Sequence, residues 1–233
     1  MNRARANEGV TSGPVSLVER IRRGVVLLLV VIMAGELALV LWRGQWLTAF
    51  LVAAIMAITL SPIALWHRIP VRIPPEFQIV AVLFIFAALF LGEVRNFYER
   101  VWWWDVALHA SSGLLMGMVG FLLVYVLNES ARVEMYMRPA FVAFFAFLFS
   151  VTVGTTWEIF EFAMDRVFDL QMQKSMLGDA SGLTDTMWDL IVDSLAALLI
   201  SVLGWTYMHR RRRSFMDGWI RRFITANPRL FRP

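Results

Sequence analysis

From Gly24 onward the chain alternates long apolar runs with short polar or charged stretches. Six runs are long enough to cross about 30 Å of hydrocarbon: Gly24 to Trp42, Trp46 to Trp66, Phe77 to Val94, Asp105 to Leu127, Pro139 to Phe162 and Asp185 to Tyr207. Backbone in lipid must satisfy its own hydrogen bonds, so the runs predict helices. A shorter pattern follows, in which Phe215, Trp219 and Phe223 recur every four residues beside Met216 and Ile220 while arginines fill the other side. That spacing predicts an amphipathic helix lying on an anionic membrane surface. The expected fold is therefore all-α: a polytopic membrane protein with a six-transmembrane-helix bundle and a C-terminal interfacial helix. Residues 1–23 form a polar N-terminal segment, 24–208 the transmembrane domain and 209–233 a basic amphipathic tail. The start of the chain, through Pro14, is polar and aperiodic, and it is expected to lack structure. Arg22 and Arg23 precede the first apolar run as in a secretory signal, but no small-x-small cleavage site with a polar continuation follows Trp42, so the first helix reads as retained.

Composition agrees with this class. Of the 233 residues 59% are hydrophobic and only 17% charged, with a mean hydropathy of +0.63, which leaves too little polar surface for a soluble domain. Cysteine is absent, which removes disulfides, thiolate ligands and a cysteine nucleophile. The net charge of +4 comes almost wholly from arginine, Lys174 being the only lysine. These cations flank apolar segments, as at a membrane face, and no nucleic-acid partner is expected. With both termini inside, seventeen of the 22 basic residues fall on the inner side, and the outer loops keep Arg43, Arg95, Arg100, Arg166 and Lys174. Both ends of the chain are therefore expected on the cytoplasmic side.

Acidic residues change the picture from a membrane anchor to a membrane site. Asp105 and His109 open the fourth apolar run, Glu158 and Glu161 close the fifth, and Asp185, Asp189 and Asp193 open the sixth, all in the expected outer half. Glu36 and Glu93 fall at similar depth. Residues three, four, seven or eight apart share a helix face, so each run carries one acidic stripe. Ionisable groups are costly in hydrocarbon, and the three stripes are expected to face one another around a partly hydrated cavity neutralised by something positive. Carboxylates with one imidazole suit a divalent metal ion, and Asp105, His109, Glu158, Glu161, Asp189 and Asp193 form the ligand pool. The Glu-x-x-His of di-iron bundles is missing. A plainer reading applies to Asp105 and Asp185, which stand at helix N-termini where a carboxylate is favoured by the backbone dipole.

Other features read as structural. Trp102, Trp103 and Trp104 suit an interfacial aromatic belt, and Gly113, Gly117 and Gly120 suit close helix packing. His67 and His209 stand beside arginines as solvated interface residues. Ser111, Ser112, Thr152, Thr155 and Thr156 can bond to helix carbonyls, and with no second histidine nearby they form no nucleophilic triad.

Three runs also carry a resemblance: D-V-A-L-H-A-S-S-G at Asp105 to Gly113, W-E-I-F-E at Trp157 to Glu161 and G-L-T-D-T-M-W-D at Gly182 to Asp189. In order and spacing they resemble the YjdF-like bacterial inner-membrane proteins and, more distantly, the VanZ-like proteins. The resemblance covers the second half of the chain and implies a multi-pass inner-membrane protein of unestablished activity.

Three functions fit these residues. An enzyme would use one or two divalent ions to activate water against a lipid-linked or phosphate-bearing substrate from the outer leaflet, with Asp185 as general base and Arg95, Arg100 or Arg166 holding an anionic group. A proton- or cation-coupled transporter or sensor would use the same acids as its ion site, although no acids continue into the inner half. A scaffold would need them only to fix helix register. Whether the chain is an enzyme, and its oligomeric state, stay open at this level.

Overall fold

A computed structural model describes residues 17–65, 73–129, 137–210 and 215–227. The polar start of the N-terminal segment, His67, Arg68, Arg72, Arg132, the arginines at 211–213 and the end of the tail lie outside the described residues. Helices account for nearly all described secondary structure: α1 (Leu17–Trp42), α2 (Trp46–Leu65), α3 (Pro75–Ile85), α4 (Phe97–Arg100), α5 (Trp104–Glu129), α6 (Pro139–Phe168), α7 (Leu183–Arg210) and α8 (Phe215–Ala226). Among the described residues, five segments are long and apolar enough to cross a membrane: Leu17–Trp42, Pro75–Val94, Trp104–Tyr125, Pro139–Phe168 and Leu183–His209. Between the first two lies a shorter apolar helical stretch, Trp46–Ser61.

Helix ends follow local chemistry. Gly44 adopts φ +70°, and Gln45 N–H donates to Val40 O at 2.9 Å, the αL glycine stop that folds α2 back beside α1. Pro75 and Pro139 occupy the first helical positions of α3 and α6, where a missing N–H costs nothing. From Phe86 to Val94 the third helix widens into a π-helix, ending with Arg95 N–H on Phe90 O at 3.0 Å, and Asn96 at φ +59° breaks the chain into α4. Several helices run beyond the expected ends, α1 starting at Leu17 and α6 continuing to Phe168.

Packing divides the molecule in two. Helices α1, α2 and α3 with its π-helical extension enclose Leu29, Met33, Val52, Ile55, Val82, Phe86 and Phe90. Helices α5, α6 and α7 all pack on one another, and the π-helical segment and α4 join this second bundle through α5. Lipid is as apolar as leucine, so close approach and dispersion hold such a bundle together rather than escape from water. The expected glycine packing is present: a Cβ on Gly113 would lie 2.7 Å from Asp193 O, one on Gly117 2.9 Å from Ile200 Cγ2 and one on Gly120 3.0 Å from Phe149 Cβ. At one end of this bundle Phe121, Val124, Val142 and Ala146 form an apolar core, joined by Tyr207, Met208 and Ile224 of α8. Arg222 of α8 pairs with Glu76 of α3. The side chains of Phe215, Met216, Trp219 and Ile220 lie outside the described set, so the expected apolar stripe of the tail is not described. The opposite end of the same bundle is where the acids meet.

Candidate metal centre

Three helices deliver the site. Asp105 and His109 stand one turn apart at the start of α5, Glu158 and Glu161 near the end of α6, and Asp185, Asp189 and Asp193 form an i, i+4, i+8 row on α7. His109 is the hub, 7% exposed. Its Nδ1 lies 3.3 Å from Asp193 Oδ2 and 3.8 Å from Glu158 Oε1, and its Nε2 lies 3.7 Å from Asp105 Oδ1 and 3.8 Å from Asp189 Oδ2.

Those distances sort the residues. His109 Nδ1 and Asp193 Oδ2 share a hydrogen bond, donated by Nδ1 when that nitrogen carries the ring proton, and the Ser112 hydroxyl donates to Asp193 Oδ1 at 2.9 Å, which holds that carboxylate in place. Space for it comes from Gly154 on α6, where a Cβ would lie 2.5 Å from Asp193 Oδ2. A carboxylate that orients an imidazole through one nitrogen leaves the other free to bind a metal. On that side Asp105, His109 and Asp189 offer ligand atoms all within 4.8 Å of one another. Separations of 3.7 and 3.8 Å are too long for hydrogen bonds. They are close to the edges of about 3.0–3.5 Å expected between ligands that share one ion at about 2.1 Å.

Hydrogen-bond accounting points to the same place. Asp189 is 0% exposed and Glu158 3% exposed; among the described residues no donor reaches either oxygen of Asp189, while the Thr186 hydroxyl lies beside the Glu158 carboxylate. Asp185 is buried as well: its Oδ2 accepts Lys174 N–H at 2.7 Å, while its Oδ1 has no described donor. Buried carboxylate oxygens are ordinarily paired, and leaving them bare costs several kcal/mol. Of these buried acids, Asp189 lies with Asp105 and His109 in a group that could hold a metal ion.

The remaining predicted residues go elsewhere. Glu161 Oε1 accepts the Trp157 indole N–H at 2.9 Å. Arg95 pairs with Glu36 at 2.9 Å, Arg166 lies 5.2 Å over the Phe162 ring, and Arg100 is exposed at the end of α4. Trp102 and Trp103 are exposed, whereas Trp104 packs edge-on to Phe97 with its indole N–H buried. Asp165, one turn beyond Glu161 on α6, accepts Met172 and Gln173 N–H at 2.7 and 2.9 Å. Asp105 and Asp185 do stand in the first turns of α5 and α7, and Asp179 lies just before α7, where bonds from Ser181 and Thr184 hold its carboxyl below the usual carboxylate range.

Sequence reasoning passed over four participants. Gly154 makes room for Asp193, and Ser112 steadies it, although as a sequence position Ser112 offered only a bond to a helix carbonyl. Tyr98 of α4 lies against Gly92 of the π-helical segment, where a Cβ would overlap its ring, and burial followed by the nearby Asp105 charge pushes its phenol well above the usual range. Lys174 sits with it. The signal available for Lys174 was its being the chain's single lysine, set in an acidic outer loop.

Residues 24–210 match the family described as "Predicted membrane protein (DUF2238)". The chain belongs to that family. An uncharacterized protein of Thermotoga maritima is 31% identical over 125 residues, which cover 53% of this chain and 59% of that relative. The chain thus spans less than two thirds of that relative's length. No solved structure matches. Within this DUF2238 chain the matched region contains the whole acidic site, from Asp105 to Asp193.

Proposed function

We propose that the protein is an inner-membrane metalloenzyme of six spans, both ends cytoplasmic, in the YjdF-like branch of its family. Asp105, His109 and Asp189 hold one divalent ion, Glu158 stands beside it, and Asp193 orients the imidazole. The ion would supply an activated water and polarise a phosphoryl oxygen, and the substrate class is a lipid-linked or phosphate-bearing anion reaching the site from the outer leaflet. Asp185, with one oxygen tied to the loop and one bare, serves as the proton acceptor. Arg100 and Arg166, which have no carboxylate partner among the described residues, draw anions to this end of the bundle. Arg95 is already paired with Glu36. The strong inward excess of arginine supports the orientation, and the long apolar helices support the membrane.

One observation carries the metal: Asp189, wholly buried with both oxygens lacking donors, faces a histidine nitrogen whose partner nitrogen is already engaged. A register-fixing scaffold would have its buried oxygens paired. The apolar core of Phe121, Val124, Val142 and Ala146 below the site weighs against an ion path through the bundle. Elemental analysis of protein purified without chelator tests the reading. About one equivalent of a divalent ion is expected, and it is expected to be absent from Asp189→Asn and reduced in Glu158→Gln. Metal-free wild-type protein that carries pH-dependent cation flux in liposomes would replace this reading with transport.

A further inference from the structure

Between α6 and α7 the chain forms a strap over the acidic end, and its anchors are unusually specific. Asp165 takes the N–H groups of Met172 and Gln173, the Gln173 amide donates to Thr186 Oγ1 at 2.7 Å, and Lys174 N–H donates to Asp185 Oδ2 at 2.7 Å. Gly182, at φ +79°, lets the strap close, since a Cβ there would lie 2.7 Å from Gln173 Cβ. A two-residue reversal at Leu177 and Gly178, both at positive φ, turns the strap between Met176 and Asp179. Residues 172–174 are therefore fixed by four hydrogen bonds, and the Lys174 backbone sits one bond away from the α7 acidic row.

The Lys174 side chain then turns to neutral partners. Its Nζ donates to Gln171 O at 2.8 Å and lies 5.1 Å from the centre of the Tyr98 ring. Tyr98 is wedged against Gly92 of the π-helical segment, and the Lys174 N–H on Asp185 Oδ2 sets the same residue beside the α7 acidic row. Yet among the described residues no carboxylate is within ion-pair distance of the ammonium. A cation beside several acids, held by a carbonyl and an aromatic face, keeps its charge for a ligand.

We infer that Lys174, seated on Tyr98, is the residue that recognises the phosphate group of an anion bound at the Asp105–His109–Asp189 centre. This rests on the metal reading above and adds to it the side chain that reads the phosphate. The phosphate could belong to a soluble ester or to a lipid headgroup.

The test uses the full chain in phosphatidylcholine nanodiscs, loaded with Mn²⁺, with metal content measured on every sample. Paramagnetic broadening of the ³¹P signal of added inorganic phosphate, and separately of short-chain phosphatidic acid, reports binding near the ion. Wild type should broaden at least one of the two signals, and the one broadened identifies the source. Lys174→Met should keep its Mn²⁺ yet weaken that binding about tenfold or more, whereas Lys174→Arg should stay near wild type. Lys174→Met with full metal and undiminished binding would overturn the inference alone, as would a loaded wild type that broadens neither signal. A wild type that takes up no metal would overturn the reading beneath it.

Discussion

The two bundles of this protein solve the same packing problem with different materials. Around α1 to α3, large side chains meet large side chains: Met33, Val52 and Val82 are fully enclosed, and Phe86 stacks on Phe90 at 4.9 Å. Around α5 to α7, glycines bring the backbones together, and at one end the enclosed side chains are Asp185, Asp189, Asp193, Glu158 and His109. A bundle designed only to hold together would resemble the first. The second encloses carboxylate oxygens that lack donors among the described residues, at a cost in stability that the proposed cation would offset.

Making the second bundle more like the first is the severest way to break this contrast. Asp189→Leu replaces a bare buried carboxylate with an apolar side chain of similar size, and should stabilise metal-free protein by about 1–4 kcal/mol in thermal unfolding in detergent while abolishing metal uptake. Destabilisation of the metal-free protein would mean that Asp189 is already satisfied, as in a scaffold. A smaller effect is expected from Gly154→Ala. The new methyl group displaces Asp193 without touching a ligand, so metal affinity should fall by about 10- to 100-fold, as for other lost supports of a ligating imidazole. Unchanged affinity in a metal titration would remove Asp193 from the site.

Much of this was legible in the string of residues because helical periodicity in lipid is a strong constraint. The apolar runs, the glycine face at Gly113, Gly117 and Gly120, and the one-stripe arrangement on each late helix follow from spacing alone. Spacing does not fix rotation. It could not say that His109 would point between Asp193 and Asp189, or that Glu161 would turn to Trp157 and Asp165 to the strap. Arg95 looked like an anion holder, and its partner Glu36 lies 59 positions away on another helix. Lys174 and Tyr98 were hidden for a further reason, since their meeting depends on the π-helical widening beside Gly92 and on the folded strap, neither of which has a periodic signature.

Electron spin-echo spectroscopy of the Mn²⁺-loaded protein reads the ligands of the proposed ion. A single imidazole ¹⁴N coupling to the ion is expected in wild type and should vanish in His109→Gln, because the account gives the ion one nitrogen ligand. A bound ion without nitrogen coupling, or a coupling that survives the substitution, would contradict it.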